Sequence, residues 1–215
     1  MTGTETSSDP DSATDETPAR VRNPWGQGDR LRGEILAAAG RLLGELGGVE
    51  GLTLRGVARA AGIAPASIYA HFADKNELVA GLVEHEYQRM AGVLRAVEDP
   101  HPVRRVRAQL HAFCRYTLGH PGAYRMLFGR PARPDGDHSR ESVVDPIIEA
   151  LHDCERGGGR LRLPAERAAI VLIVGVHGRV AIQQSRGDTD EVDAVLAFAD
   201  ELLALVFEDP AGLGQ

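Results

Sequence analysis

The sequence predicts an all-α protein of 215 residues in two parts, an N-terminal three-helix helix-turn-helix unit and a longer C-terminal helical unit. Three observations carry this. Apolar residues recur at spacings of three and four, the signature of one helix face, and alternating β-branched runs are scarce. Stretches containing Gly and Pro cut the pattern at helix-length intervals. Two of the resulting segments are short and joined by "AAGIA", the proportions of a helix-turn-helix.

The elements follow in order. Residues 1–27 are rich in Ser, Thr, Asp, Glu and Pro, cannot bury apolar area, and are expected to form a disordered tail. From Asp29 to about Leu46, the residues Ile35, Leu36, Ala39, Leu42, Leu43 and Leu46 define a helix face, with Asp29 as N-cap and Gly47-Gly48 as the stop. Thr53 caps a short second helix that buries Leu54, Val57 and Ala58. Gly62 can take the positive φ of a tight turn, and a third helix is expected over 64–72, with Ile63 and Ile68 sealing the pair. Asp74 and Glu77 have capping-box spacing and open a fourth helix to about Val97. Further helices are expected near 102–119, 121–129, 139–156, 164–186 and 189–208, separated by Pro121, "RPARPDGD", "RGGGR" and Gly187. The expected domains are the tail (1–27), a helix-turn-helix domain (28–74) and a C-terminal domain (75–210), whose first helix, 75–98, connects the two.

The formal net charge of -7 argues against a nucleic-acid partner only until it is partitioned. Residues 1–19 carry -5, residues 20–27 carry +2, residues 28–80 are neutral and the remainder carries -4. The helix-turn-helix is therefore neutral and holds the chain's single lysine, Lys75. The two cysteines, Cys114 and Cys154, and an acidic N-terminus unlike a secretory leader suggest a reduced, cytoplasmic protein. The apolar run from Ala168 to Val176 is far shorter than the roughly 20 residues a membrane span needs.

Helical spacing places Ala64, Pro65, Ala66 and Ser67 at the end of the third helix that meets base edges in a helix-turn-helix, but an αα-hairpin with no DNA role has the same spacing. The residue identities decide more. "LTLRGVARAAGIAPASIYAHFADKNEL" resembles the DNA-binding domain of the TetR family of transcriptional repressors, through Thr53, Val57-Ala58, Ala61-Gly62, Tyr69, His71-Phe72, Lys75 and Leu78. The pattern covers about 50 residues. It departs at Ala66, where the family often has Gly; the methyl bears on which operator is read. The resemblance implies that Ala64–Ser67 contact bases and that Thr53, Tyr69 and Lys75, with Arg55 close by, contact phosphates. Lys75 at a helix N-terminus opposes the macrodipole, a conflict that a bound phosphate would relieve. His71 is expected in the core, and Arg20 and Arg22 in a solvated tail rather than a minor groove.

For the C-terminal part the resemblance implies a dimerising, ligand-sensing domain whose last two helices form a four-helix bundle across a two-fold axis. Small residues at Ala165, Ala168, Ala169, Gly175, Gly178 and Ala181 permit close helix approach. Val192, Val195, Leu196, Ala199, Leu202, Leu203 and Val206 give the last helix a wide apolar face. "HPGAYRMLFGRP" and "VGVHGRVAIQQSRG" also resemble a subtype with a "YRLMF"-like segment and a Trp-xxx-His-Gly helix, with Ile173 at the Trp position. Phe113, Tyr116, Tyr124, Phe128, His177 and Gln183 are the candidate pocket residues. No cofactor or metal is expected: His111, Cys114, His152 and Cys154 could form a zinc set only if their helices met, and residues at i, i+2 point apart. No catalytic residues are expected, since no phosphate loop or oriented Cys–His pair is evident. The expected function is that of a dimeric, ligand-responsive repressor of a palindromic operator. The rival is a helical small-molecule-binding or scaffold protein with a vestigial helix-turn-helix.

Overall fold

The computed structural model describes residues 27–128, 138–186 and 192–208, which contain nine α-helices and one 3-10 turn. The tail with Arg20 and Arg22, the "RPARPDGD" stretch and Gly187 lie outside these residues.

Helix α1 (Gln27–Leu46) begins two residues before Asp29, so Asp29 sits in its first turn, where its charge still favours the macrodipole, rather than at the cap. Ile35, Leu36, Ala39 and Leu43 are buried as expected, together with Ala38. Leu46 departs from the expected face: it is exposed and folds back over Gly51 of the 3-10 turn Val49–Gly51. Gly47 stops the helix at φ 72 and donates to the Leu43 carbonyl.

Helix α2 (Leu54–Ala60) starts at Thr53, whose Oγ1 accepts from the Gly56 N–H at 3.0 Å. It buries Leu54, Val57 and Ala58, and ends where Gly62 takes φ 69 and Ile63 N–H returns to the Ala58 carbonyl. Helix α3 covers only Pro65–Ile68, shorter than expected. Beyond it, bonds from Ala70 to Ser67 and from His71 and Phe72 to Ile68 continue the chain as turns. Ile68 and Phe72 are fully buried, and Ile63 is partly buried against the core.

Helix α4 (Lys75–Arg95) is opened by the Asp74 N-cap, which accepts from the Glu77 N–H, while the Glu77 carboxylate reaches back past the cap and accepts from the Ala73 N–H. Its buried stripe packs on α1 and on α7. There follow α5 (Pro102–Gly119), α6 (Pro121–Phe128), α7 (His138–Arg156, with Pro146 inside it), α8 (Ala165–Arg186) and α9 (Val192–Val206). One apolar core runs from α1 through α9. No helix among the described residues is long and apolar enough to cross a membrane.

Candidate nucleic-acid interface

The exposed end of the helix-turn-helix is a consequence of what holds it from behind. Val57, Ala58, Ile68 and Phe72 are all fully buried, which fixes α2 and α3 against each other. What remains outside is the first turn of α3: Ala64, Pro65 and Ala66 are exposed and Ser67 is partly exposed. Pro65 occupies the first helical position, where its missing N–H costs nothing. Small side chains there let the backbone approach a surface closely.

The other expected residues flank this turn. Tyr69 is 51% exposed, with its ring outside the core. Thr53 and Arg55 are exposed at the start of α2. Thr53 Oγ1 accepts the capping bond, which leaves its proton to donate outward. His71 is half-buried. Lys75 differs from expectation: its ammonium donates at 2.9 Å to the Glu50 carbonyl, tying the start of α4 to the 3-10 turn. The charge–dipole conflict at that end is already offset by the Asp74 and Glu77 carboxylates, so no phosphate is needed to relieve it. Two ammonium protons remain for an outside acceptor. Sequence reasoning passed over Arg59, which is exposed one helical turn after Arg55 on α2; their spacing of four was the available signal.

The six candidate pocket residues do not converge on one point. Tyr124, Phe128 and His177 form a cluster, with ring centroids 4.9 Å, 5.3 Å and 4.4 Å apart for the pairs 124–128, 124–177 and 128–177. The Tyr124 hydroxyl donates to the His177 carbonyl at 3.2 Å and lies 3.0 Å from His177 Nδ1. Burial pushes the Tyr124 hydroxyl up to about 12. Tyr116 instead donates to Glu86 at 2.7 Å, and burial first, then this bond, raises its pKa. Phe113 is fully buried in the core, and Gln183 is buried and accepts from Arg179. A cleft of about 760 Å³ lies elsewhere, between the end of α4, the start of α5 and α7, and none of the six lines it.

Two further features escaped the sequence reading. Glu86 is 1% exposed and also contacts Arg89 at 3.0 Å. It stands in the stripe Leu78, Leu82, Glu86, Met90, Leu94, and an acid at a core position of an i, i+4 series was a visible signal. Its Oε1 lies 2.8 Å from where a Cβ would stand on Gly40 of α1. Arg125 donates from both Nε and a terminal nitrogen to the Gly47 carbonyl, at 3.1 and 2.6 Å. Beside it, a Cβ on Gly122 would stand only 2.8 Å from the Leu43 carbonyl oxygen, so α6 lies directly on the α1 backbone. On α8, Ile170, Val174 and Ile182 are about half exposed or more, and Gly178 between them has open space beside it.

The zinc set considered for the cysteines and histidines does not assemble. His111 bonds Asp200 of α9, His152 lies between Glu155 and Glu166, and no group of three or more such residues among those described could hold a metal ion. Burial pushes Cys114 up to about 12 and Cys154 up to about 11, so both are thiols rather than nucleophilic thiolates at neutral pH.

The family model described as "Bacterial regulatory proteins, tetR family" matches residues 35–82. The model described as "Tetracyclin repressor-like, C-terminal domain" matches residues 106–206. A nucleoid occlusion factor, SlmA, of Vibrio campbellii is 27% identical over 114 residues, which are 52% of this chain and 58% of that protein. The chain thus matches little more than half the length of that relative. Among solved structures, a protein of unknown function from a Rhodococcus species has a TM-score of 0.66 at 28% identity, covering 86% of this chain and 99% of that one. TylP, a TetR regulator from Streptomyces fradiae, has a TM-score of 0.65 at 22% identity, covering 87% and 90%.

Proposed function

The chain belongs to the tetR family of bacterial regulatory proteins, and on that premise we propose that it is a sequence-specific DNA-binding transcriptional regulator, a cytoplasmic repressor that binds a palindromic operator as a homodimer and responds to a small-molecule effector. The observation that carries this is the exposed first turn of α3, presented with small side chains by a helix pair whose other face is sealed. In this reading, residues 28–74 are the DNA-binding domain and 75–210 the regulatory domain, joined by α4. Ala64, Pro65, Ala66 and Ser67 approach base edges, while Thr53, Arg55, Tyr69 and the remaining protons of Lys75 contact phosphates, with Arg59 beside them.

Homodimerisation is supported by the α8 stripe Ile170, Val174, Gly178 and Ile182, whose apolar side chains are half exposed or more among the described residues and whose glycine has open space beside it. A second copy placing the same stripe against it buries both and sets two α3 helices about 34 Å apart, one turn of DNA. The Tyr124–Phe128–His177 cluster is the proposed effector region. Helix α6 touches that cluster through Tyr124 and grips α1 through Arg125, which supports a route from effector to reading head. An effector shifts the protein only by binding one helix separation more tightly than the other.

Fluorescence anisotropy on labelled DNA from upstream of the chain's own gene, at about 50 mM salt, tests the reading. Saturable binding that weakens steeply with salt is expected. Arg55→Ala should weaken binding across sequences, whereas Ser67→Ala should alter preference between them. Failure to bind any promoter DNA would leave the alternative, a small-molecule-binding helical protein.

A further inference from the structure

Helices α1 and α4 join the N-terminal unit to the bundle, and where they meet each offers a glycine to the other. A Cβ on Gly81 of α4 would stand 2.9 Å from a terminal nitrogen of Arg32 and 3.1 Å from the Phe72 ring. A Cβ on Gly40 of α1 would stand 2.8 Å from Glu86 Oε1 and 3.9 Å from Leu82. The notch at Gly40 is thus filled from across the interface by a carboxylate, at a helix-interior position where alanine would be the better helix former.

The tip of a long side chain usually yields to a new neighbour, but this one is held. Glu86 is buried, its Oε2 accepts the Tyr116 hydroxyl at 2.7 Å, and both its oxygens accept from Arg89, at 3.0 and 3.2 Å. Tyr116 is fixed in turn: its ring stacks on His120 with centroids 4.4 Å apart, and His120 Nδ1 lies 2.8 Å from the Tyr116 carbonyl. His120 is the corner between α5 and α6. A row of contacts therefore leads from α1, through the carboxylate on α4, to α5 and the start of α6. Pushing the carboxylate aside would leave the buried phenol without its acceptor, so a methyl at Gly40 displaces α1 instead.

We propose that Glu86 is a positioning residue for DNA binding: seated in the Gly40 notch and held by Tyr116, it sets the angle of the N-terminal unit against the bundle, and with it the separation of the two α3 helices in the dimer. The effect on DNA rests on the regulator reading; the angle itself does not.

The angle is measured as a distance by double electron–electron resonance on the full chain, diluted with unlabelled protein. Spin labels go on Ala60→Cys in α2 and Glu201→Cys in α9, both exposed, while the native Cys114 and Cys154 are buried. Gly40→Ala should shift this distance by about 2 Å. Gly44→Ala, one turn further along α1 with open space beside it, should not. Glu86→Asp, which empties the notch by one methylene, should shift it the opposite way and decides the matter if Gly40→Ala fails to fold. Gly40→Ala/Glu86→Asp should return to the parent distance. An unmoved distance in Gly40→Ala, an equal shift in Gly44→Ala, or a shift that Glu86→Asp does not reverse overturns the positioning role.

Fluorescence anisotropy on the bound upstream DNA, and on versions with one base pair added or removed at its dyad, reads the consequence. Gly40→Ala should change the ratio of affinities between spacings at least about fivefold, whereas a merely destabilised protein loses affinity for all of them alike. A shifted distance in a chain whose parent binds no DNA keeps the positioning of the N-terminal unit and loses the regulator reading. A shifted distance with an unchanged spacing ratio overturns the link to DNA.

Discussion

The helix-turn-helix and the bundle behind it are stabilised by interactions of different range. In the N-terminal unit the specifying bonds are local: Thr53 caps three residues ahead, Asp74 accepts from Glu77 and Glu77 from Ala73, and Ile63 closes on Ala58. In the bundle they join residues far apart in sequence, as in Tyr116 to Glu86, Tyr124 to His177 and Arg107 to Asp200. The buried polar or charged residues among those described, Glu86, Gln109, Thr117 and Gln183, also lie from α4 onward. The reading unit is thus an apolar wedge with polar caps, built to be stiff and to leave one turn outside. The bundle carries buried polar pairs whose partners must all be in place, the kind of arrangement on which a ligand can act.

The largest expected effect tests the wedge. Phe72 is fully buried beneath the α2–α3 pair, with Arg32 stacked 5.1 Å from its ring centroid. Phe72→Ala should cost about 3–5 kcal/mol in urea unfolding, because a cavity opens where the two helices are fixed. DNA affinity should fall in the same variant. A loss below about 1 kcal/mol would mean that the wedge is not what fixes the reading turn.

The bundle's counterpart is Glu86. Glu86→Leu leaves the Tyr116 hydroxyl buried without its acceptor, at an expected cost of about 1–3 kcal/mol. Arg89, 44% exposed, can turn to water. If the cost is the orphaned hydroxyl, Glu86→Leu/Tyr116→Phe should be less destabilised than the two single changes added together. Strict additivity in that double-mutant cycle would mean that Glu86 and Tyr116 are not coupled.

The same contrast explains what the sequence revealed. The helices of the described residues were legible to within a few residues, because periodicity, caps and Gly or Pro stops are local. The misses were local competitions: Asp29 displaced from its cap by an earlier start, and α3 cut at Ile68 where turns replace helix. The proposed reading residues could be named because they lie within one short motif. The environment of Lys75 could not, since its acceptor, the Glu50 carbonyl, lies 25 positions away in a turn of no regular pattern. The bundle's candidate pocket residues scattered for the same reason. Aromatic type ranks Phe113 beside Tyr124, but only the packing of α6 on α8 brings Tyr124 to His177 and leaves Phe113 in plain core.

A smaller effect sharpens the claim of locality. Thr53→Ala removes the α2 cap and should cost about 1 kcal/mol, while Thr53→Ser, which keeps the hydroxyl, should be close to neutral. Chemical denaturation of the three proteins measures this. Because the proposed phosphate contact also uses the hydroxyl, Thr53→Ser should retain DNA affinity and Thr53→Ala should lose some. If both substitutions cost stability equally, the methyl packing of Thr53 matters and the capping bond does not.

The least effect is expected where a long-range clasp is half in water. Asp200 of α9 accepts from Arg107 at 2.7 and 2.6 Å and from His111 at 2.8 Å, both on α5. The Arg107 guanidinium foremost holds the Asp200 carboxyl below the ordinary carboxylate range; burial opposes it, and His111 adds a smaller push downward. A depressed carboxylate contributes stability that is present above its unfolded value and is lost as the pH falls through its folded value. The clasp should therefore be intact at neutral pH and loosen only below about pH 4. Thermal unfolding followed from neutral pH downward should show the wild-type melting temperature falling more steeply in that acid range than that of Asp200→Asn, which has no carboxylate to protonate. Parallel slopes would mean that solvent screens the clasp completely, and that α9 is held on α5 by its apolar face alone.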